Sequence, residues 1–385
     1  EICNQKQSGR CWMFAALNTL RYQVMKKYDL KTFELSQAYL FFWDKLEKSN
    51  YFLESILETA DLPTNDRTVM HILSTGVHDG GQWDMFANIV RKYGVVPKDV
   101  YDETYQSSNT RNMNAQLNRA LKVAAAKLRK MTAEKADEAA IQTEKNKALD
   151  AIYGFLCSCY GEPPKAFDFE FVDKDKVYHI EKDLTPLTFA ERYVGDLLDQ
   201  IVSIINAPTA DKPYHKTYTI RLLGNVAEGR PVVHLNLTMD EFKAAIIAQL
   251  KAGKVVWFGS DVGHYGERTM GIWDDNSFDF AALTGLPLAM DKTDALDYGL
   301  AAMNHAMVLT GVNLDEVGKP TRWKIENSWG DKNGEKGYYV CSDSWFDQYV
   351  FQAAVEKEYL GDLVKLAAQE PIVLEPWDPM GSLAD

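Results

Sequence analysis

Three residues of this chain have types and settings suited to covalent chemistry on a carbonyl: Cys11, His305 and Asn327. A thiol attacks as the thiolate, so a nucleophilic cysteine needs its pKa lowered by the positive end of a helix and a neighbouring imidazole. It also needs a group that fixes the imidazole and donors for the oxyanion that forms. Cys11 stands where a buried helix begins, His305 opens an apolar strand and Asn327 closes the next, so two adjacent strands can set imidazole and amide side by side. Gln5, six residues before Cys11 in a polar loop, is free to aim an amide N–H at a carbonyl oxygen. Singly these signals are weak, because a buried cysteine is ordinarily a small core residue and a strand histidine ordinarily a satisfied one. His264, in SDVGHYG, is the rival imidazole and reads as part of a surface loop.

The elements that must position these groups follow from periodicity. Apolar residues at helical spacing predict helices over 11–28, 36–48 and 83–93, the last stopped by Gly94 and Pro97. From about 111 to 157 the chain is rich in Ala, Lys, Glu and Leu, with no Pro or Gly before Gly154, and reads as two long exposed helices. Residues 111–130 hold six bases (Arg111, Arg119, Lys122, Lys127, Arg129, Lys130) and no acid, which is expected of a solvated helix face. Strand-like runs follow at 167–172, 176–180, 218–223 and 232–237, then a helix over 238–251, then strands at 255–263, 305–312, 321–330 and 337–342. Helices early and strands late argue an α+β architecture. Pro371, Pro376 and Pro379 keep the end of the chain out of a helix, and the apolar Ile372, Val373, Leu374, Trp377 and Met380 suggest an arm that packs rather than a loose tail.

Composition narrows the function classes. No apolar run approaches the roughly 18 residues of a membrane helix, so no membrane partner is expected. The net charge of −13 disfavours nucleic-acid binding by the whole surface. Five cysteines leave at least one thiol unpaired within the chain, which leans towards a reducing, cytoplasmic compartment. Cys157 and Cys159 form a C-x-C without a second pair or a histidine at ligand spacing, Cys3 and Cys341 read as ordinary thiols, and no metal or cofactor is expected.

Taken together, QKQSGRCWMFAA, NHAMVLTGV and IENSWGDKNGEKGYY resemble the three active-site segments of papain-like cysteine peptidases. That family's cysteine signature is C-G-[SA]-C-[WY], and Ser8-Gly9-Arg10-Cys11-Trp12 departs from it at the first and third positions. In secreted relatives the first of those cysteines pairs with one before an N-G-G turn. Here the turn reads His78-Asp79-Gly80-Gly81 and both cysteine positions are vacant, as suits a branch that keeps no disulfides. Cys11 and His305 are 294 residues apart, against about 130–150 in papain, so roughly 145–165 residues are inserted, over about 106–230. The insertion, the Q-S-G-R-C-W motif and the closing D-P-M-G-S-L-A are similar to the bleomycin hydrolase and bacterial aminopeptidase C group over essentially the whole chain.

The resemblance implies a papain-like fold, a helical lobe plus an antiparallel β lobe, with a large helical insertion and an extended C-terminal arm. Its expected division is 1–105 for the helical lobe with the nucleophile, 106–230 for a mainly helical insertion, 231–350 for the β lobe with His305 and Asn327, and 351–385 for a C-terminal helix and arm. It implies Cys11 as nucleophile, His305 as base then acid, Asn327 as orienter of the imidazole, Gln5 with the Cys11 N–H as oxyanion hole, and Trp329 as a roof over the Asn327–His305 bond. A second tryptophan common in papain relatives is replaced around Asn333, and Asn304 stands where they often carry Asp. Gly80 and Gly81 would form the rail along which an extended peptide pairs. The activity expected is removal of N-terminal residues from peptides through a thioester acyl-enzyme, with Ala384 or Asp385 ending the arm in the cleft and a terminal carboxylate facing the substrate's α-ammonium. Peptides with free N-termini are the expected substrates and a homohexamer the expected assembly. An endopeptidase, or a non-catalytic scaffold or nucleic-acid-binding barrel, are the alternatives.

Overall fold

A computed structural model describes residues 2–385. The first helix, Cys11–Lys27, is buried on nearly every side over its first three turns, because residues from Cys11 to Leu20 are apolar or hydrogen-bonded and leave no solvated face. Lys26 and Lys27 fall in its last turn, where they suit the negative end of the helix dipole. A second helix, Gln37–Glu58, is capped by Ser36 Oγ accepting from the Tyr39 N–H. It outruns the expected end at residue 48, since Phe52, Leu53 and Ile56 continue its buried face. A helix over Trp83–Tyr93 has the predicted bounds.

Helices Arg111–Ala133 and Glu138–Tyr160 form the long hairpin read from composition. Met113, Leu117, Leu121, Ala125 and Leu128 make one buried stripe on the first of them. Of its bases, Arg129 turns inward and donates to the carbonyls of Thr59 and Leu62, closing the end of the second helix.

Eleven strands form the main sheet, in the order Ile372–Leu374, Thr217–Ile220, His234–Asn236, Ile201–Ile205, Val350–Glu356, Val256–Ser260, His305–Leu314, Pro320–Glu326, Tyr338–Ser342, Ile272–Trp273 and Gly266–Glu267. All eight strand runs expected from sequence are present; those at 167–172 and 178–184 pair only with each other as a separate hairpin. Two central strands are additions. Ile201–Ile205 and Val350–Glu356 pair antiparallel; all seven residues of the latter are buried and four of the five residues of the former are apolar, so neither shows the polar alternation that marks a one-sided strand. Residues 201–220, grouped on sequence with the inserted region, therefore hydrogen-bond into the main sheet. The expected C-terminal helix is corrected likewise: after the strand ending at Glu356, residues 357–368 form 3-10 turns kinked at Gly361, whose φ is +54°. Beyond Pro371 the chain is extended, then turns briefly at Pro379–Gly381.

The first helix lies against the strand His305–Leu314, and a buried charge beneath it fixes the seam. Glu326, the last residue of its strand, accepts from Asn18 Nδ2 at 3.0 Å, Arg21 Nη2 at 2.7 Å and the Tyr22 hydroxyl at 2.5 Å, all three from that helix. Removing one partner of a buried pair leaves the other charge desolvated, so Glu326→Ala is expected to cost about 3–5 kcal/mol of stability. Urea unfolding reads this as a lowered midpoint; an unchanged midpoint would show that the seam does not depend on the carboxylate.

Candidate active site

Cys11 is the first residue of its helix and is fully buried, with Sγ accepting from the Ala306 N–H at 3.4 Å. That bond sets the thiol beside the residue next to His305. His305 pairs with Ser260 at the start of its strand, and its Nε2 lies 2.9 Å from Asn327 Oδ1. The same oxygen accepts from the Ser328 N–H at 2.8 Å, which fixes the orientation of the amide. An imidazole bonded to this oxygen carries its proton on Nε2 and leaves Nδ1 as the acceptor. Trp329 covers the pair, its ring centroid 4.8 Å from that of His305.

Gln5 is buried and held, not free in a polar loop. Its main chain joins a short ladder in which Gln5 N donates to Ser328 O and Gly330 N donates to Cys3 O. Its side-chain oxygen accepts from Ser328 Oγ at 2.7 Å, and its amide nitrogen donates to Ser8 O at 2.7 Å, using one of two amide hydrogens. The Arg10 departure from the cysteine signature also has a local reason. Its side chain turns into the core between the rings of Phe14 and Phe41 and pairs with both carboxylate oxygens of Glu103 at 3.0 Å.

The arm lies in the cleft beside these groups. Gly81 N donates to Ala384 O at 3.0 Å and Ala384 N to Gly81 O at 3.2 Å, an antiparallel pair. From the opposite wall, Asn304 O accepts from Asp385 N at 3.1 Å and Met303 O from Ser382 Oγ at 2.7 Å. Both glycines are required sterically. A Cβ on Gly81 would stand 2.5 Å from the Trp12 ring, and one on Gly80 would stand 2.8 Å from Ala384 O. Asp385 reaches the cysteine loop, where its side chain takes the space a Cβ on Gly9 would need.

The Peptidase C1-like family matches residues 1–381. The chain belongs to this family. It is 54% identical over 386 residues to the aminopeptidase C of Streptococcus thermophilus, covering 100% of this chain and 86% of that protein. It is 42% identical over 380 residues to the aminopeptidase G of Lactobacillus delbrueckii subsp. lactis, covering 98% and 86%. The crystal structure of PepW from Lactobacillus rhamnosis HN001 superposes with a TM-score of 0.97 at 55% identity, covering 100% of this chain and 86% of that one. The papain-like α+β fold is thereby established.

Several residues of this peptidase's site gave no signal of their role in the sequence. Asp79 gathers Gly9 N at 2.9 Å, Lys45 Nζ at 2.6 Å, Thr110 Oγ1 at 2.5 Å and Asn114 Nδ2 at 2.8 Å, while its carbonyl takes the Trp12 indole N–H at 2.8 Å. It thus ties the cysteine loop, the first helix and the glycine rail together. Burial opposes its ionisation, but the Lys45 ammonium and the two side-chain donors outweigh burial and hold its carboxyl well below the usual range. A lysine inside the apolar run of residues 39–46 was the available clue. Trp273, carried onto the edge of Tyr338–Ser342 by a parallel pairing, packs against Trp329 at 6.2 Å and Tyr339 at 5.0 Å, and so supplies an aromatic flank where Asn333 does not. Asn304 acts through its carbonyl on the arm, while its side chain is spent on Asp261 and Val262. His264 pairs with Asp261 and stacks on Tyr349, away from the thiol's partners.

Electrostatics correct one expectation. Burial pushes the Cys11 thiol up to about 12, against the opposing pull of the Ala306, Trp12 and Cys11 N–H groups, and the Asp385 carboxylate adds to the rise. Burial likewise lowers the His305 imidazole to about 4, with the Asn327 bond opposing and Arg268 assisting. With the arm in place, thiol and imidazole are therefore both neutral. Deleting residues 382–385 removes a desolvating cover and a negative charge, both of which raise the thiol pKa, so the pKa must fall. The rate of iodoacetamide alkylation against pH should show its midpoint at lower pH in the truncated protein; an equal or higher midpoint would contradict this origin of the shift.

Proposed function

We propose that this protein is a cysteine aminopeptidase in which Cys11 is the nucleophile, His305 the base and then the acid, and Asn327 the orienting partner. The reading rests on one observation above all: Ala384 of the chain's own arm forms an antiparallel bridge with Gly81 beside a buried Cys11–His305–Asn327 cluster. An extended peptide paired with the same rail brings a carbonyl to Cys11. Sγ attacks that carbon as its proton passes to Nδ1 of His305, and the oxyanion takes the Cys11 N–H and the second amide hydrogen of Gln5. The imidazolium then protonates the departing amine, the C–N bond breaks and a thioester remains. Water adds to the thioester, giving a proton to His305, which returns it to the thiolate as the acid departs.

The arm fills the acyl side of the cleft up to Asp385, so a substrate has room for little chain ahead of its scissile bond. A free α-ammonium at that point faces the Asp385 carboxylate, a favourable charge pair that a blocked N-terminus lacks. An endopeptidase needs this side open. The vacant disulfide positions and the free cysteines fit a reducing, cytoplasmic setting. The sequence resemblance extends the reading to a homohexamer with sites facing an inner cavity, and to a division of the chain into nucleophile lobe, insertion, β lobe and arm.

Hydrolysis of aminoacyl arylamides tests the assignment. Cys11→Ala is expected to abolish turnover, and Asn327→Ala to lower it less than His305→Ala, because it misorients the base without removing it. Turnover surviving in Cys11→Ala would remove the thiol as nucleophile. For the arm, the protein lacking 382–385 should lose aminopeptidase activity and cut N-terminally acetylated peptides internally. Acetylated peptides left intact, with free-amine substrates turned over normally, would show that the arm is not the gate.

A further inference from the structure

The arm, Gly81 and Asn304 define the acyl side of Cys11, so the departing fragment leaves on the other side of His305, over Trp329. One cation waits there. Arg268 is exposed on the turn between Gly266–Glu267 and Ile272–Trp273, and its guanidinium carbon lies 4.6 Å from the Trp329 ring centroid. Trp329 in turn is 4.8 Å from His305, so the guanidinium and the imidazole both pack on the same indole. The neighbouring Glu267 carboxylate does not neutralise it by a direct bond, being turned to the Met270 N–H. Together these steps span at most about 9 Å, and with about 3.5 Å for each extended residue and about 3 Å for each hydrogen bond at either end, the first or second residue of a leaving fragment comes within reach of Arg268. A guanidinium stacked on an indole is already oriented and partly dehydrated, and its fork matches a carboxylate.

We propose that Arg268 is a specificity-determining residue that binds a carboxylate on the leaving fragment: the α-carboxylate of a di- or tripeptide, or the acidic side chain of the residue after the scissile bond. The inference rests on the aminopeptidase reading and adds its leaving-side preference. Short free peptides, the last products of protein breakdown, would then be better substrates than amides or long neutral chains of the same N-terminal residue.

The test uses the full chain and X, the N-terminal residue cleaved fastest from a panel of aminoacyl p-nitroanilides. Values of kcat/KM are compared for X-Gly against X-Gly amide, and for X-Asp amide against X-Asn amide. In the unmodified protein the charged member of at least one pair should be favoured by about tenfold, with the preference shrinking as salt is added. Arg268→Gln should bring that ratio near one, Arg268→Glu should invert it and Arg268→Lys should keep part of it; the ratio is taken within each variant, so any effect of the lost charge on His305 cancels. A preference for X-Gly alone identifies the α-carboxylate as the ligand, and one for X-Asp amide alone identifies the side chain. Ratios near one in the unmodified protein, or equal ratios in Arg268→Gln, overturn the proposal with the aminopeptidase reading intact. An unmodified protein inactive on every p-nitroanilide overturns the aminopeptidase reading itself.

Discussion

A buried carboxylate ties the helix that carries Cys11 to the strand that ends beside Asn327. Cys11 begins a helix and Asn327 follows a strand 316 positions later in the chain, and nothing local holds them together. Glu326 does so from below, taking bonds from Asn18, Arg21 and Tyr22 on successive turns of the helix. Its neighbour Asn327 then inherits a fixed backbone, so the imidazole it orients is fixed against the same helix that carries the thiol. A buried ion pair is poor evidence of net stability but good evidence of a specified register. Here register is what the proposed proton transfer between Cys11 and His305 requires, because a displacement on the order of 1 Å is enough to cost a reaction most of its rate.

Asp79 does the corresponding work on the other wall. Its side chain is committed to Gly9, Lys45, Thr110 and Asn114, leaving its carbonyl for Trp12 and the next two residues for the rail. Trp12 is thereby pressed against Gly81 so closely that no side chain fits there. The rail is accessible to an extended chain because the indole behind it and the carboxylate beside it leave the backbone nowhere else to go. Trp257 completes the bracket by donating to the Trp12 carbonyl at 3.0 Å.

How much of this was legible in the sequence depends on how local the signal was. Helices with a one-sided apolar stripe and strands with alternation were read correctly, as were Cys11, His305, Asn327 and Trp329 as neighbours, because each lies in a contiguous motif. The strands at 201–205 and 350–356 were missed because burial on both faces erases alternation. The stretch 357–368 fails as an α-helix at Gly361, a residue that helical periodicity alone does not penalise enough. Glu326, Asp79 and Arg268 were opaque for a different reason: their roles arise from partners far away in sequence, and a charged residue in isolation reads as surface. The thiol's environment is hidden on the same ground, since a helix start and an imidazole can be seen in sequence but the cover above them cannot.

That cover sets how the proposed gate works. Residues 380–384 are anchored repeatedly: Gln82 Nε2 donates to the carbonyls of Met380 and Ser382, Ser382 donates to Met303, and Ala384 pairs with Gly81 in both directions. Asp385 has one backbone bond, to Asn304, and a side chain that is more than half exposed. The firmly held part of the arm therefore ends one residue short of the position beside Cys11. A substrate residue entering beside Cys11 shifts the weakly held Asp385, whose exposed carboxylate stays within reach of the substrate's α-ammonium, and keeps the rest of the arm in place. The space so released is one residue long, and this length, set by where the anchoring stops, is what would make cleavage proceed a single amino acid at a time. Burial is the main reason the Cys11 thiol stays protonated and the Asp385 carboxylate adds to it, so an α-ammonium paired with that carboxylate offsets the negative charge beside Cys11 and favours the thiolate.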